Sequence, residues 1–338
     1  MSGRQLDVAV VGVGHLGRIH AKIYAENPRA NLAFVVDVDG DLAQSTAREH
    51  GAQALSDPRE LPDGIDAVSV VVPTVFHAEV AIPLLERGIP LLIEKPLAGN
   101  LADADRILEA AKGSGARIAV GHVERFQPGV RRLREMDLQP RFIECHRLAP
   151  FQMRATDVGV VHDLMIHDLD LILHLVDSQV ESIDVAGGAV LTDSEDVVSV
   201  RIVFENGARA NVTASRASLK PMRRFRMFSS EGYVSLDLQE NHGLVVRKGP
   251  NWDAKRAELA GLDPTRLGSA APMDWMTSGM VEVTQLELGS EQRPLQAELD
   301  SFLTAVQDGV EPEVTGVDGR RALELADRVR AALADQNW

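Results

Sequence analysis

The sequence holds a single cysteine, Cys145, among 338 residues. No disulfide can close within one chain, and no zinc site of several thiolates can be built from it. This usage fits a reducing compartment, and a cytoplasmic setting is the expectation. Long apolar runs are missing as well. No stretch of about 18 uncharged apolar residues occurs, so no membrane span is expected. The N-terminal run MSGRQLDVAVVGVG carries one arginine and passes straight into an apolar segment containing Asp7, which reads as a first strand rather than a secretion signal. Positive charge is scarce: 35 Lys and Arg stand against 50 Asp and Glu, a formal net charge of -15. Such a surface repels nucleic-acid phosphates and anionic membranes, which argues against both as partners. Internal repeats and low-complexity segments are lacking too.

What remains is an ordinary globular composition, 45% hydrophobic and 25% charged. At roughly 100–200 residues per domain, the length favours two domains. The first third alternates short apolar segments with amphipathic ones. Residues 6–13, 32–37, 67–72, 91–94 and 118–121 read as strands, and 15–26, 42–50, 77–87 and 101–113 as helices. Strands this short and apolar belong in a parallel sheet buried on both faces. The alternation predicts right-handed βαβ crossovers and a doubly wound α/β domain over residues 1–123.

After residue 123 the pattern changes. Residues 142–148 read as a strand leading into an irregular loop, and 159–176 as one long helix. Alternating segments follow at 180–191, 196–204, 208–215, 224–229 and 233–238, separated by turn signals such as Glu205-Asn206-Gly207 and Glu231-Gly232. They predict an α+β domain over 124–338 with a large, mostly antiparallel sheet. Residues 250–278 are poor in regular pattern and read as a long excursion or a subunit contact. Helices at about 294–307 and 318–335 close the chain.

The run Val8-Ala9-Val10-Val11-Gly12-Val13-Gly14-His15-Leu16-Gly17 is a strand entering a Gly-x-Gly-x-x-Gly turn that opens a helix. Gly12 permits the tight turn, Gly14 lets a pyrophosphate approach the backbone, and Gly17 lets helix and strand pack closely. The helix N-terminus offers free N–H groups and a positive dipole end to phosphates. Asp37 ends the second strand, where a carboxylate binds a ribose 2′-hydroxyl and repels a 2′-phosphate. These residues point to a Rossmann domain that binds NAD in preference to NADP, with a flavin as the alternative ligand.

Four further landmarks follow in order: Val72-Pro73-Thr74 with His77; Leu91-Leu92-Ile93-Glu94-Lys95-Pro96-Leu97; Gly121-His122-Val123-Glu124-Arg125-Phe126 with Pro128; and Val161-His162-Asp163-Leu164-Met165-Ile166-His167-Asp168-Leu169-Asp170. Together with the glycine turn they resemble the Gfo/Idh/MocA oxidoreductases over most of the chain up to about residue 240. The region 250–290 shows no family pattern. The resemblance implies an NAD(P)-dependent oxidoreductase acting on CH–OH groups. Its cofactor site would take in Gly12, Val13, Gly14, His15, Leu16, Gly17, Asp37, Pro73, Thr74, His77, Glu94 and Lys95, and it implies no metal.

Lys95 falls just past the carboxyl end of a strand, where open parallel sheets bind ligands. Its ammonium could hydrogen-bond the reacting oxygen and stabilise charge developing there. Pro96 pushes Lys95 toward an extended conformation and allows a cis bond between them. Asp163 and His167 stand four apart on one face of a largely apolar helix. The resemblance makes His167 the general base for a substrate hydroxyl, a task that suits imidazole at neutral pH. It makes Asp163 a substrate ligand or the group that holds the His167 tautomer. Taken without the resemblance, Lys95 is an exposed lysine and His167 a satisfied core histidine. Asp163, His167, Asp170 and His174 fall at a helical spacing that a metal could also use.

The run from Arg154 to Val161, leading into Asp163–Asp168, is most similar to nucleotide-sugar 3-dehydrogenases. That implies the 3-hydroxyl of UDP-N-acetylglucosamine or a related UDP-sugar as the point of attack. Arg154 is then the candidate for the substrate diphosphate, since guanidinium groups pair well with phosphate oxygens. Arg147, Arg216, Lys220, Arg223 and Arg224 are further positive candidates, or else a solvated strand face that balances nearby acids. The alternatives are a dehydrogenase of a free sugar or polyol such as inositol or glucose, a non-catalytic dinucleotide-sensing regulator, and internal redox chemistry ending in elimination or hydrolysis. An open antiparallel sheet needs its exposed face covered, and relatives pair such sheets, so a homodimer or homotetramer through the C-terminal sheet is expected.

Overall fold

The computed structural model describes residues 4–136, 138–152, 158–260, 278–289 and 293–334. The chain divides into two compact units. The first takes residues 1–126 and 292–328, and the second takes 127–291 and 329–338.

The first unit is built on a six-stranded sheet of β1 (Leu6–Val11), β2 (Ala30–Val36), β3 (Gln53–Leu55), β4 (Ala67–Val70), β5 (Leu91–Ile93) and β6 (Ile118–Val120). The strand order is β3-β2-β1-β4-β5-β6, and every neighbouring pair is parallel. This is the doubly wound order that reverses direction beside β1, where such sheets open a ligand crevice. Helices α1 (His15–Glu26), α2 (Gly40–His50), α3 (His77–Glu86) and α4 (Leu101–Ser114) make the crossovers. The strands are apolar on both sides because both faces are covered: Val8 and Val10 are buried in one cluster, Ala9 and Val11 in another.

The second unit holds α5 (Pro128–Glu135), β7 (Phe142–Pro150) and a π-helical turn over Val161–Met165 that runs into α6 (Ile166–Val176). Strands β8 (Val180–Gly188), β9 (Val197–Phe204), β10 (Arg209–Ser218), β11 (Met222–Phe228), β12 (Gly232–Asp237) and β13 (His242–Lys248) follow, then α7 (Trp252–Ala260) and β14 (Val281–Glu287). They form an eight-stranded sheet in the order β14-β13-β12-β11-β7-β10-β9-β8. β7 and β10 run parallel, and the other neighbours are antiparallel. In β9, Val198, Val200, Ile202 and Phe204 are buried while Ser199 and Arg201 are exposed, the period of two expected of a sheet with one covered face. Helix α6 packs on β7 and β10.

Two helices end the chain, α8 (Pro294–Asp308) and α9 (Gly316–Ala334). Leu299, Phe302 and Leu303 of α8 lie in one cluster with Leu6, Val8 and Val10 of β1. Burying each such side chain is worth about 1.5–3 kcal/mol, which ties α8 to the first sheet. Arg29 and Asn27 both bond the Asp300 carboxylate at 2.6 Å.

Three expectations are corrected. The assignment of 124–338 to one C-terminal domain fails for 292–328, because the apolar stripe of α8 covers the first sheet. The single helix expected over 159–176 forms, but it winds as a π turn rather than an α-helix over Val161–Met165. Within the patternless 250–278, residues Trp252–Ala260 are helical, and 261–277 lie outside the described residues. Three strands were not anticipated: β3 at the edge of the first sheet, and β13 and β14, which widen the second. Among the described residues, no helix is long and apolar enough to cross a membrane.

Candidate active site

In the first unit, a cleft of about 1390 Å³ opens along the carboxyl ends of the strands. Gly12, Gly14, Leu16, Asp37, Pro73, Thr74, His77, Glu94 and Lys95 line it. Val13, His15 and Gly17, also expected at the cofactor, are not among the residues that line it. Gly12 adopts φ +87°, and a Cβ there would sit 2.7 Å from the Val71 carbonyl oxygen. A Cβ on Gly17 would fall 1.8 Å from the Gly12 oxygen, so only glycine lets α1 approach β1 this closely. A Cβ on Gly14 would meet nothing within 4 Å, because it would project into open space. Gly14 caps α1 without a side chain, leaving the first N–H groups of the helix for a ligand.

Asp37 follows β2 and accepts the Val13 N–H at 2.8 Å on one oxygen and the Asp39 N–H at 2.9 Å on the other. These bonds hold the carboxylate against the glycine turn. Glycines that a Cβ would fill, a helix start without a side-chain cap and a fixed carboxylate at the end of β2 together fit a dinucleotide.

Glu94, Lys95 and Pro96 follow β5, and the Lys95–Pro96 peptide is cis. The Glu94 carboxylate is nearly buried, 3.2 Å from Nε2 of His20 on α1, and accepts the Lys95 N–H at 3.2 Å. Burial pushes the carboxyl up, but the His20 imidazole beside it, with the Lys95 N–H and ammonium, outweighs it and holds Glu94 below the usual carboxylate range. Gly121 makes room for it: a Cβ there would lie 2.7 Å from Glu94 Oε2. The His77 ring is buried, its nitrogens facing the Val72 and Pro96 carbonyls at 3.0 Å each. It bridges the loops after β4 and β5. Burial pushes its pKa down against the pull of those carbonyls and of Glu94.

In the second unit, Asp163 lies in the π turn and His167 in the first turn of α6, both half-buried. The π turn is closed by the Ile166 N–H reaching the Val161 carbonyl. Such turns recur at functional sites. The Asp163 N–H donates to the Gly159 carbonyl at 3.1 Å. Asp168 and Asp170 are buried among the apolar residues of α6. Arg154 lies outside the described residues. Two other positive candidates are corrected: Arg147 and Arg216 are buried, Arg147 bound to Asp168 and Arg216 to the Val158 carbonyl and beside Asp196. Among the described residues, no three His, Cys, Asp or Glu side chains are gathered as a metal would require.

Sequence reasoning passed over His20, Asp168 and Glu195. The signal for His20 was a polar residue on the stripe Gly17, Ala21 and Tyr24 that α1 buries.

A parallel sheet in this order, with a glycine-cradled helix start and a carboxylate after β2, defines a dinucleotide-binding Rossmann protein with a second α+β domain. Residues 6–122 match the model of the oxidoreductase family with an NAD-binding Rossmann fold, and residues 136–235 match the GFO/IDH/MocA C-terminal domain. The chain belongs to the Gfo/Idh/MocA oxidoreductase family, and its first unit is an NAD-binding domain. It is 35% identical to UDP-N-acetylglucosamine 3-dehydrogenase of Acidithiobacillus ferrooxidans over 96% of both chains. It is 26% identical to myo-inositol 2-dehydrogenase of Thermotoga maritima over 97% of this chain and 96% of that one. The solved structure of the Acidithiobacillus ferrooxidans enzyme superposes with a TM-score of 0.85 at 32% identity, covering 98% of each chain.

Proposed function

We propose that the chain catalyses the NAD-dependent oxidation of a sugar hydroxyl to a ketone, on the 3-hydroxyl of UDP-N-acetylglucosamine or a related UDP-sugar. The observation that carries the reading is its similarity, along nearly the whole of both chains, to an enzyme of that name. NAD, when bound, supplies the acceptor for the hydride that leaves the alcohol carbon. Gly12, Gly14 and the start of α1 receive its diphosphate, and Asp37 a ribose hydroxyl. His167 takes the hydroxyl proton, and Lys95 hydrogen-bonds the oxygen as it becomes a carbonyl. Asp163 binds the substrate or sets the His167 tautomer. Arg154 pairs with the substrate diphosphate.

The test is incubation with NAD and UDP-N-acetylglucosamine, followed at the NADH absorbance. Turnover is expected there and lost in Lys95→Ala and His167→Ala. Turnover with inositol or glucose alone removes the UDP-sugar reading, and NAD binding without turnover on any sugar favours a sensor.

We also propose that the second sheet joins copies of this chain in a cytoplasmic homodimer or homotetramer. One register row crosses neighbouring strands through Val203, Arg209, Phe142, Phe228, Tyr233, Val246 and Val283. Phe228 stacks on Tyr233 at 4.6 Å, and Phe142 lies 5.7 Å from Phe228. These side chains stay half-buried or exposed on the face away from the buried row, and all but Arg209 are apolar or aromatic, which suits a second copy. Light scattering on the wild type and on Phe228→Glu tests this. A monomeric wild type refutes it.

A further inference from the structure

Arg147 and Asp168 form a buried ion pair inside the second unit. Arg147 Nε donates to Asp168 Oδ2 and Nη2 to Oδ1, each at 2.9 Å, with the side chains 5% and 6% exposed. Arg147 stands on β7, in the interior of the eight-stranded sheet, on the buried row with Ile143 and Cys145. Asp168 directly follows His167 in α6.

A fork-to-fork pair has one good geometry, so a helix held at Asp168 can neither roll nor slide on the sheet without losing both bonds. Neighbours on an α-helix are separated by about 100° and 1.5 Å, so the setting of Asp168 is also the setting of His167. Beside the pair, Leu169, Leu171 and Ile172 of α6 are fully buried. Dispersion and area burial hold a helix on a sheet without selecting one rotation, because apolar contacts have little directionality. Stability alone does not explain the pair either, since buried ion pairs are often no better than apolar residues of similar volume.

We propose that Arg147 and Asp168 are positioning residues, which fix the roll and register of α6 so that His167 and Asp163 are presented to the substrate in one orientation. This rests on the reading of His167 as the proton acceptor.

The experiment compares Arg147→Lys, Asp168→Asn and the apolar double variant Arg147→Met/Asp168→Leu with the wild type and His167→Ala. It reads kcat and KM with UDP-N-acetylglucosamine, Kd for NADH by fluorescence, Tm, and amide hydrogen exchange over 161–176. The double variant is expected to hold its Tm within a few degrees and its NADH Kd within twofold, while kcat falls at least tenfold. Arg147→Lys keeps the charge without the fork, and is expected to lose kcat and exchange α6 amides faster. A folded double variant with wild-type kcat overturns the proposal. If the double variant does not fold, Arg147→Lys decides: wild-type kcat with unchanged exchange overturns it. Full turnover by His167→Ala would sink the proton-acceptor reading instead. An inactive His167→Ala beside fully active pair variants sinks only the positioning role.

Discussion

His20 Nε2 and Glu94 Oε1 stand 3.2 Å apart in the first unit, the imidazole at 0% exposure and the carboxylate at 11%. One carboxylate thus links α1, at the glycine turn, to the loop that carries Lys95. The folded carboxyl is more acidic than an unfolded one, whose value is about 4.3. The unfolded chain therefore binds more protons in acid. The stabilisation is fully present above that unfolded value and drains as pH falls through the folded one. Glu94→Gln removes the titration and leaves a poorer partner for His20, at a cost on the order of 1–3 kcal/mol. The variant is expected to melt several degrees below wild type at neutral pH, with the gap narrowing toward pH 4. A gap that stays constant from pH 4 to pH 8 contradicts this.

The three glycines of the turn separate folding from binding. Gly14→Ala places its methyl in open space on an extended backbone and is expected to change stability by less than about 1 kcal/mol. It still narrows the approach for a pyrophosphate, so NADH Kd rises. Gly17→Ala drives a methyl into the Gly12 carbonyl and lowers both Tm and NADH affinity. Fluorescence titration and thermal melts check both; equal stability losses in the two variants would be the wrong outcome.

Asp37 holds the Val13 and Asp39 N–H groups, which leaves its charge at the end of β2 whether or not a ligand is bound. Asp37→Ser removes the repulsion toward a 2′-phosphate and a charged acceptor for a ribose hydroxyl. The expected result is about a tenfold weaker NAD Kd, or 1.4 kcal/mol, with the NAD-to-NADP ratio of kcat/KM falling. An unchanged ratio would remove Asp37 from cofactor selection.

The shape of the glycine turn and the place of Asp37 were legible in the sequence because their signals are local. Gly12, Gly14 and Gly17 encode a backbone shape, and Asp37 follows at the distance one βαβ unit requires. The pairings were not legible. Arg147 and Asp168 are 21 residues apart, and a sequence shows only that both are charged, so Arg147 read as no more than one of several further positive candidates. The stripe Leu299, Phe302 and Leu303 announces a packed helix but not which sheet it covers, and α8 was placed in the wrong unit. β13 stayed hidden because one of its inward positions is Gly243, which adds no apolar signal. β14 stayed hidden because Glu282, Thr284 and Gln285 interrupt its apolar pattern with exposed polar side chains.

The connection from β8 to β9 holds the start of the helix that carries Asp163 and His167. The Glu195 carbonyl accepts the Val160 N–H at 3.0 Å, and its carboxylate accepts the Val161 N–H at 3.4 Å. That carboxylate fills the space beside Gly159, where a Cβ would fall 1.9 Å from Oε1. Next to it, Asp196 accepts the Val190, Leu191 and Thr192 N–H groups, which stiffens the connection. Gly159→Ala should expel the Glu195 carboxylate and strip the helix start of this acceptor, a loss of about 1 kcal/mol by analogy with other caps. A fall in Tm of a few degrees is expected, with a larger proportional fall in kcat, since Asp163 donates to the Gly159 carbonyl. Glu195→Ala should lower Tm similarly. The double variant Gly159→Ala/Glu195→Ala should sit no lower than either single one, because the methyl then has room. Additive losses in the double variant would show that the two residues act separately.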